Sequence, residues 1–157
     1  MQTITRRAVL LSSAATASLA PLRLRAASTK MIINKDPNCG CCSGWVEHVK
    51  AAGFEADVVE MTDLSPLKAR LSIPTTLAAC HTAEIEGYVI EGHVPASVIR
   101  RFLSERPMAV GLAVPGMPVG SPGMEVPGAA DEAYNVVLFG PSGQRVYARF
   151  VGARELT

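Results

Sequence analysis

The sequence predicts an α/β domain with the element order β-α-β-α-β-β-α, followed by a Pro/Gly/Met loop and a C-terminal β-hairpin. Three observations predict it. Short apolar or alternating runs suited to strands are interleaved with segments at helical spacing. Three of the four cysteines stand in four positions, Cys39-Gly40-Cys41-Cys42, between the first strand and the first helix. A proline, Pro74, stands at the entry to the third strand. A cysteine motif after the first strand and an X-Pro before the third, in this order, form the layout of a thioredoxin-like domain. In that layout the Ile73-Pro74 bond is expected to be cis and to lie beside the cysteines.

Each element has its own reason. Lys30 to Lys35 reads as the first strand and runs into the loop Asp36-Pro37-Asn38. Ser43 is a plausible N-cap for a helix from Gly44 to about Ala52, with Gly53 as its stop. The cysteines then lie at a helix N-terminus, where the dipole and free amides favour thiolates. Phe54 to Met61 alternates as a second strand. Thr62 or Asp63 can cap a short helix to about Leu71. Ile73 to Cys80 reads as the third strand, and Gly87 to Gly92 as its hairpin partner. Pro95 to Glu105 forms an amphipathic helix with Val98, Ile99, Phe102 and Leu103 inward. Residues 107 to 128 hold so many prolines and glycines that neither a helix nor a central strand is expected. They are too apolar for an ordinary linker, and a long loop of this kind in a compact domain points to function. Tyr134 to Phe139 and Arg145 to Phe150 form a terminal hairpin across Gly140-Pro141-Ser142-Gly143.

The 157 residues suit one domain plus attached segments, and the hydrophobic content of 48% is that of a globular chain. Residues 1–27 carry Arg6, Arg7, Arg23 and Arg25 and no acid, leaving 11 basic and 14 acidic residues behind them. That excess of acid excludes a nucleic-acid face. Arg6-Arg7 precedes an uncharged run from Ala8 to Ala20, too short to span a bilayer and suited to a signal peptide of the twin-arginine type. Residues 1–27 are therefore read as a leader, cut near Arg25-Ala26-Ala27, and residues 28–157 as a single exported domain, placed in the periplasm with no stable membrane span after processing. Export raises the prior for disulfides.

The soft and borderline metal ligands are Cys39, Cys41, Cys42, Cys80, His48, His81, His93, Met108, Met117 and Met124. Cys39 and Cys42 have the spacing of a redox dithiol, and all three clustered thiolates together make a soft-metal site. Structural staples are the third reading. Cys80 and His81 are adjacent, so on a strand only one of them faces the motif. A strand from Pro74 would also carry Cys80 roughly 20 Å away from it. His93 ends the returning strand and comes back toward the cysteines. His48 shares a helix face with Trp45 and reads as a core or hydrogen-bonding histidine, and Met108 as core. Met117 and Met124 each follow Pro-Gly in a backbone that packs little, so each thioether needs something to contact.

Together these motifs resemble a known family, the CopG-like periplasmic proteins associated with copper resistance and long catalogued only as a metal-binding domain of unknown function. The resemblance rests on Cys-Gly-Cys-Cys with Trp45 and His48, Ile73-Pro74-Thr75-Thr76, Cys80-His81-Thr82, Gly87 to Pro95, and Gly111 to Glu125. It spans about residues 31 to 139. It implies a thioredoxin-like fold, export, and copper held by Cys39, Cys41 and Cys42. Cys80, His81, His93, Met117 and Met124 are its candidate partners. It further implies a multinuclear, cysteine-bridged cluster with a role in copper redox handling. The expected cargo is Cu(I), with Cu(II) an alternative, and the expected partners are copper ions and other periplasmic copper-handling proteins. Thiol–disulfide exchange by Cys39 and Cys42 is the competing function.

Overall fold

Alternating burial along Lys30–Lys35 (β1) places Met31 and Ile33 in the core and leaves Ile32 half-exposed. The computed structural model describes residues 30–157, so the proposed leader lies outside the described residues. Helix α1 spans Gly40–Ala51, β2 Glu55–Glu60, α2 Ser65–Arg70, β3 His81–Ile85 and β4 Tyr88–Glu91. Helix α3 spans Ala96–Glu105, and β5 to β8 are Gly111–Ala113, Ala133–Gly140, Gly143–Val151 and Arg154–Leu156. All eight strands join one mixed sheet in the order β2-β1-β3-β4-β5-β6-β7-β8. Strands β1 and β2 are parallel, and β3 runs antiparallel to both β1 and β4.

Successive strand residues face opposite ways, and this sheet buries both faces near its centre. Ile90 and Leu112 join α1 and α3 in the main core, with Trp45, Val49, Val98, Ile99 and Phe102. Their neighbours Val89 and Ala113 face the other way, toward Ile73, Leu77 and Phe139. The inward positions expected for α3 hold for Val98, Ile99 and Phe102, while Leu103 is only partly buried.

Several expectations are corrected. Residues 73–80 are not a strand: Thr75–Leu77 is a 3-10 turn closed by Leu77 N–H donating to Pro74 O at 2.9 Å, and β3 starts at His81. Proline and two threonines at the entry favour that turn over a ladder. Helix α1 starts four residues before Gly44, because Cys39 rather than Ser43 is its N-cap. Residues 107–128 do contribute a central strand. A stretch of that run between Pro107 and Pro115, Gly111–Ala113, lies between β4 and β6 with Leu112 and Ala113 fully buried. Met108 is not core but 95% exposed. The Ile73–Pro74 bond is trans, with no cis peptide bond among the described residues. The terminal hairpin is longer than expected, and β8 extends the sheet beyond it.

Candidate metal centre

The loop after β1 turns sharply. Asp36 accepts from the Asn38 and Cys39 amides at 2.7 and 3.1 Å, and this delivers Cys39 to the N-cap of α1. One helical turn then carries Cys41 and Cys42. Cys39 and Cys42 are joined by a disulfide, and the Cys42 amide donates to Cys39 Sγ at 3.3 Å. Cys41 and Cys80 are free thiols, each partly buried.

Cys80 reaches this group because β3 begins after it, not before it. The 3-10 turn shortens the run from Pro74, so the expected separation along a strand does not arise. Cys80 Sγ lies 3.9 Å from Cys41 Sγ, and Cys41 Sγ lies 3.5 Å from Cys39 Sγ. Cys42 Sγ is 3.7 Å from the Cys80 carbonyl. On its other side Cys80 Sγ meets His93 Nε2 at 3.2 Å and His81 Nδ1 at 3.4 Å. The adjacency of Cys80 and His81 is no obstacle, since Cys80 lies outside the ladder and its side chain is not bound to strand alternation.

The donor atoms thus fall into two groups, one of four cysteine sulfurs and one of Cys80, His81 and His93, with all atoms in each group within 4.8 Å of one another. Cys80 belongs to both. The cysteine group is partly open. Met117, 54% exposed, brings its Sδ to 4.0 Å from Cys41 Sγ. The imidazole group is closed: His81 and His93 are both fully buried, 5.0 Å apart, and His81 lies 4.4 Å from the Trp45 ring.

Burial sets the protonation of this closed side. Desolvation, with the neighbouring His93 second, pushes His81 down to about 3, and desolvation also lowers His93. Both rings are neutral at physiological pH. The Pro122 carbonyl can only accept, so His93 Nδ1 carries the proton and donates to it at 2.8 Å. That leaves the Nε2 lone pair aimed at Cys80, the arrangement a ligating histidine needs. Burial and the nearby Cys41 raise Cys80 to about 12, so it is a thiol until something displaces its proton. His81 Nε2 is buried with no hydrogen-bond partner among the described residues.

The 107–128 loop closes the site by backbone contact. A Cβ on Gly123, which has φ +85°, would meet Trp45 N at 2.5 Å and Cys41 O at 2.6 Å. Glycine is therefore required where the loop lies on the first turns of α1. Met124 sits in the same turn, its amide donating to Ser121 O at 2.7 Å. The structure brings Met117 to the cysteines; among the described residues, Met124 makes no such sulfur contact. His48 is a hydrogen-bonding histidine as expected, its Nε2 accepting from the Ala96 amide at 3.0 Å. Trp45 Nε1 donates to Val94 O at 2.9 Å, so α1 holds the His93–Ala96 segment at two points.

Clustered thiols, neutral imidazoles with a free lone pair and a thioether define a class: an α/β protein with a soft-donor centre between a helix start and a strand hairpin. Comparison narrows the class. Residues 77–124 match the family described as "Protein of unknown function, DUF411". Two solved structures of a copper resistance protein copG, Form 1 and Form 2, are each 44% identical with a TM-score of 0.74. The Form 2 match covers 79% of this chain and 99% of that one, and the Form 1 match 80% and 100%. No curated protein matches the chain. The chain belongs to the family of copper resistance protein copG.

Glu91 and Thr82 went unmarked as site residues in the sequence. Both are fully buried and bonded to each other, and Glu91 accepts from the Ala79 amide one residue before Cys80. A glutamate just before a candidate ligand, in a strand otherwise apolar, is the signal that could have found them.

Proposed function

We propose that this protein is an exported copper-binding protein for copper tolerance, its cargo Cu(I) held by Cys39, Cys41, Cys42, Cys80, His81, His93 and Met117. The observation that carries this is the sharing of Cys80 between the sulfur group and the imidazole group. One thiolate can bridge ions, and a set of soft sulfurs with two neutral imidazoles suits monovalent copper better than a hard cation. His81 Nδ1 and His93 Nε2 approach the same Cys80 Sγ, at 3.4 and 3.2 Å, so both imidazoles turn one nitrogen toward the shared thiol. The copper-resistance relatives support the choice of metal. More than one ion per chain follows from the number of donors. Met117, with Met124 in the same loop, lids the site, and thioethers suit an oxidising compartment because they form no disulfides.

Cys39 and Cys42 bind copper only after an external dithiol has given their disulfide two electrons and two protons and left as its own disulfide. The arginine pair and apolar run at the start of the chain support export by the twin-arginine route to the periplasm, where other copper-handling proteins are the expected partners. No described helix is long and apolar enough to cross a membrane. A thioredoxin-like core is supported by the β2-β1-β3-β4 order, with β1 parallel to β2 and β3 antiparallel to β1 and β4.

The Cys39–Cys42 disulfide at a helix start also favours a second reading, thiol–disulfide exchange with Cys39 as the attacking thiol and Cys42 as the resolving one. One experiment separates the two. The reduced domain is loaded anaerobically with Cu(I), and copper per chain is measured for wild type and Cys41→Ser. Tight binding that falls in Cys41→Ser supports the copper site. Disulfide reduction without tight copper binding overturns it, and unchanged binding in Cys41→Ser removes the third thiolate.

A further inference from the structure

On the face of the β3–β4 hairpin away from His81 lies a buried charge. Glu91 is fully buried, and Thr82 stands directly across the ladder from it. Thr82 Oγ1 donates to Glu91 Oε2 at 2.6 Å. Lys68, from α2, donates to Glu91 Oε1 and also to Thr82 Oγ1, the latter at 2.8 Å. The remaining bond leaves the hairpin: the Ala79 amide donates to Glu91 Oε1 at 2.6 Å.

A carboxylate this buried costs several kcal/mol in lost hydration and persists only where every lone pair has a partner. Apolar side chains would fill the same volume without that cost. What they could not do is hold a backbone amide in the segment before β3. That segment has no ladder of its own, and it carries Cys80. The next residues repeat the attachment. Gly92, with φ +69°, passes so near that a Cβ would meet Ala79 Cβ at 2.7 Å and Val114 O at 2.6 Å. Its amide donates to His81 O at 3.1 Å. His93 then meets Cys80 Sγ. Three consecutive residues thus fasten three consecutive residues, Glu91 to Ala79, Gly92 to His81 and His93 to Cys80.

We propose that Glu91, supported by Lys68 and Thr82, is a positioning residue that clamps the Ala79 amide and so fixes Cys80 between the thiol and imidazole halves of the centre. It touches no donor atom and acts through the peptide that carries one. This rests on the copper-binding reading.

The test uses the reduced, metal-free domain and the same domain loaded with Cu(I). In metal-free Glu91→Ala, the Ala79 amide should exchange hydrogen at least about 10-fold faster than in wild type, from loss of a charge-assisted bond. With Cu(I), affinity measured against a chromophoric chelator should fall about 10-fold to 100-fold, the usual effect of losing a group that orients a ligand. X-ray absorption should show fewer nitrogen neighbours per copper. Glu91→Gln, whose amide oxygen still accepts, should recover most of both. Phe150→Ala, a core cavity far along the sheet, should lower thermal stability without changing the nitrogen count. Where Glu91→Ala does not fold, Thr82→Val serves, with affinity expected about 5-fold weaker. Wild-type exchange and wild-type affinity in Glu91→Ala overturn the inference, as does the same coordination change in Phe150→Ala. Absence of copper binding in wild type overturns the copper reading instead, and the Ala79 exchange rates still test the clamp.

Discussion

The thiol half of the centre and its imidazole half are built by opposite means. Cys39, Cys41 and Cys42 come from one turn of one helix, so their proximity is local and their surroundings are partly open. His81 opens the first strand of a hairpin and His93 follows the second, so both lie at its open end, where Trp45 and Pro122 seal them. The first half can exchange thiol partners and ions with the solvent. The second has fixed protons, fixed rings and no water-facing edge. Cys80 is the only donor present in both groups, so the difference can be probed from that residue outward.

Cys80→Ser should have the largest effect, because it removes a vertex from both groups. Copper per chain should fall by at least half, and nitrogen neighbours should be lost together with sulfur ones. Retention of full stoichiometry would mean that the two groups work independently. His93→Gln strikes the closed half alone. It should weaken Cu(I) affinity on the order of 10-fold to 100-fold, while rapid thiol titration of the reduced protein still counts four cysteines.

The closed half also predicts an acid response of the metal-free protein. The folded state holds His81 neutral down to about 3, against 6.5 for an ordinary histidine. The unfolded chain therefore takes up the proton first. This contribution is complete above pH 6.5 and is lost as pH falls toward 3. Between pH 7 and pH 5 it should cost about 2 kcal/mol, or roughly 5–10 °C in Tm by calorimetry. His93 and His48, both lowered by burial, act in the same direction. His81→Leu should flatten the slope; a slope as steep as wild type would show that His81 is not the group responsible. The smallest effect belongs to the open half. Met117→Leu should leave Cu(I) affinity within about 5-fold, since one thioether is a weak ligand, but speed copper loss to a chelator in stopped flow. An unchanged rate would remove Met117 from the lid.

The same contrast governs what could be read from the sequence. The thiol half is contiguous, so its three cysteines and their place at a helix start were visible, although the helix begins at Gly40 rather than Gly44. α3 was legible from its helical period, and α1 and the terminal hairpin from the glycines and turn residues that bound them. The imidazole half depends on distant pairing. His93 was placed by following the hairpin back. Cys80 was obscured, because Ile73 to Cys80 has the composition of a strand while Pro74 and the threonines turn it into a 3-10 segment. β5 was hidden inside a run with prolines on both sides of it, Pro107 before and Pro115 after. Glu91 stood out only once its bond from the distant Ala79 amide was in view.

The contact of Gly123 with the first turns of α1 has a consequence for a single proton. Pro122, the preceding residue, supplies the carbonyl that keeps hydrogen on His93 Nδ1. A side chain at residue 123 would push the loop off the helix and withdraw that carbonyl. His93 would then be free to change tautomer and turn a protonated nitrogen toward Cys80. The missing methyl of one glycine thus helps decide which ring nitrogen of a histidine on another segment has electrons to offer.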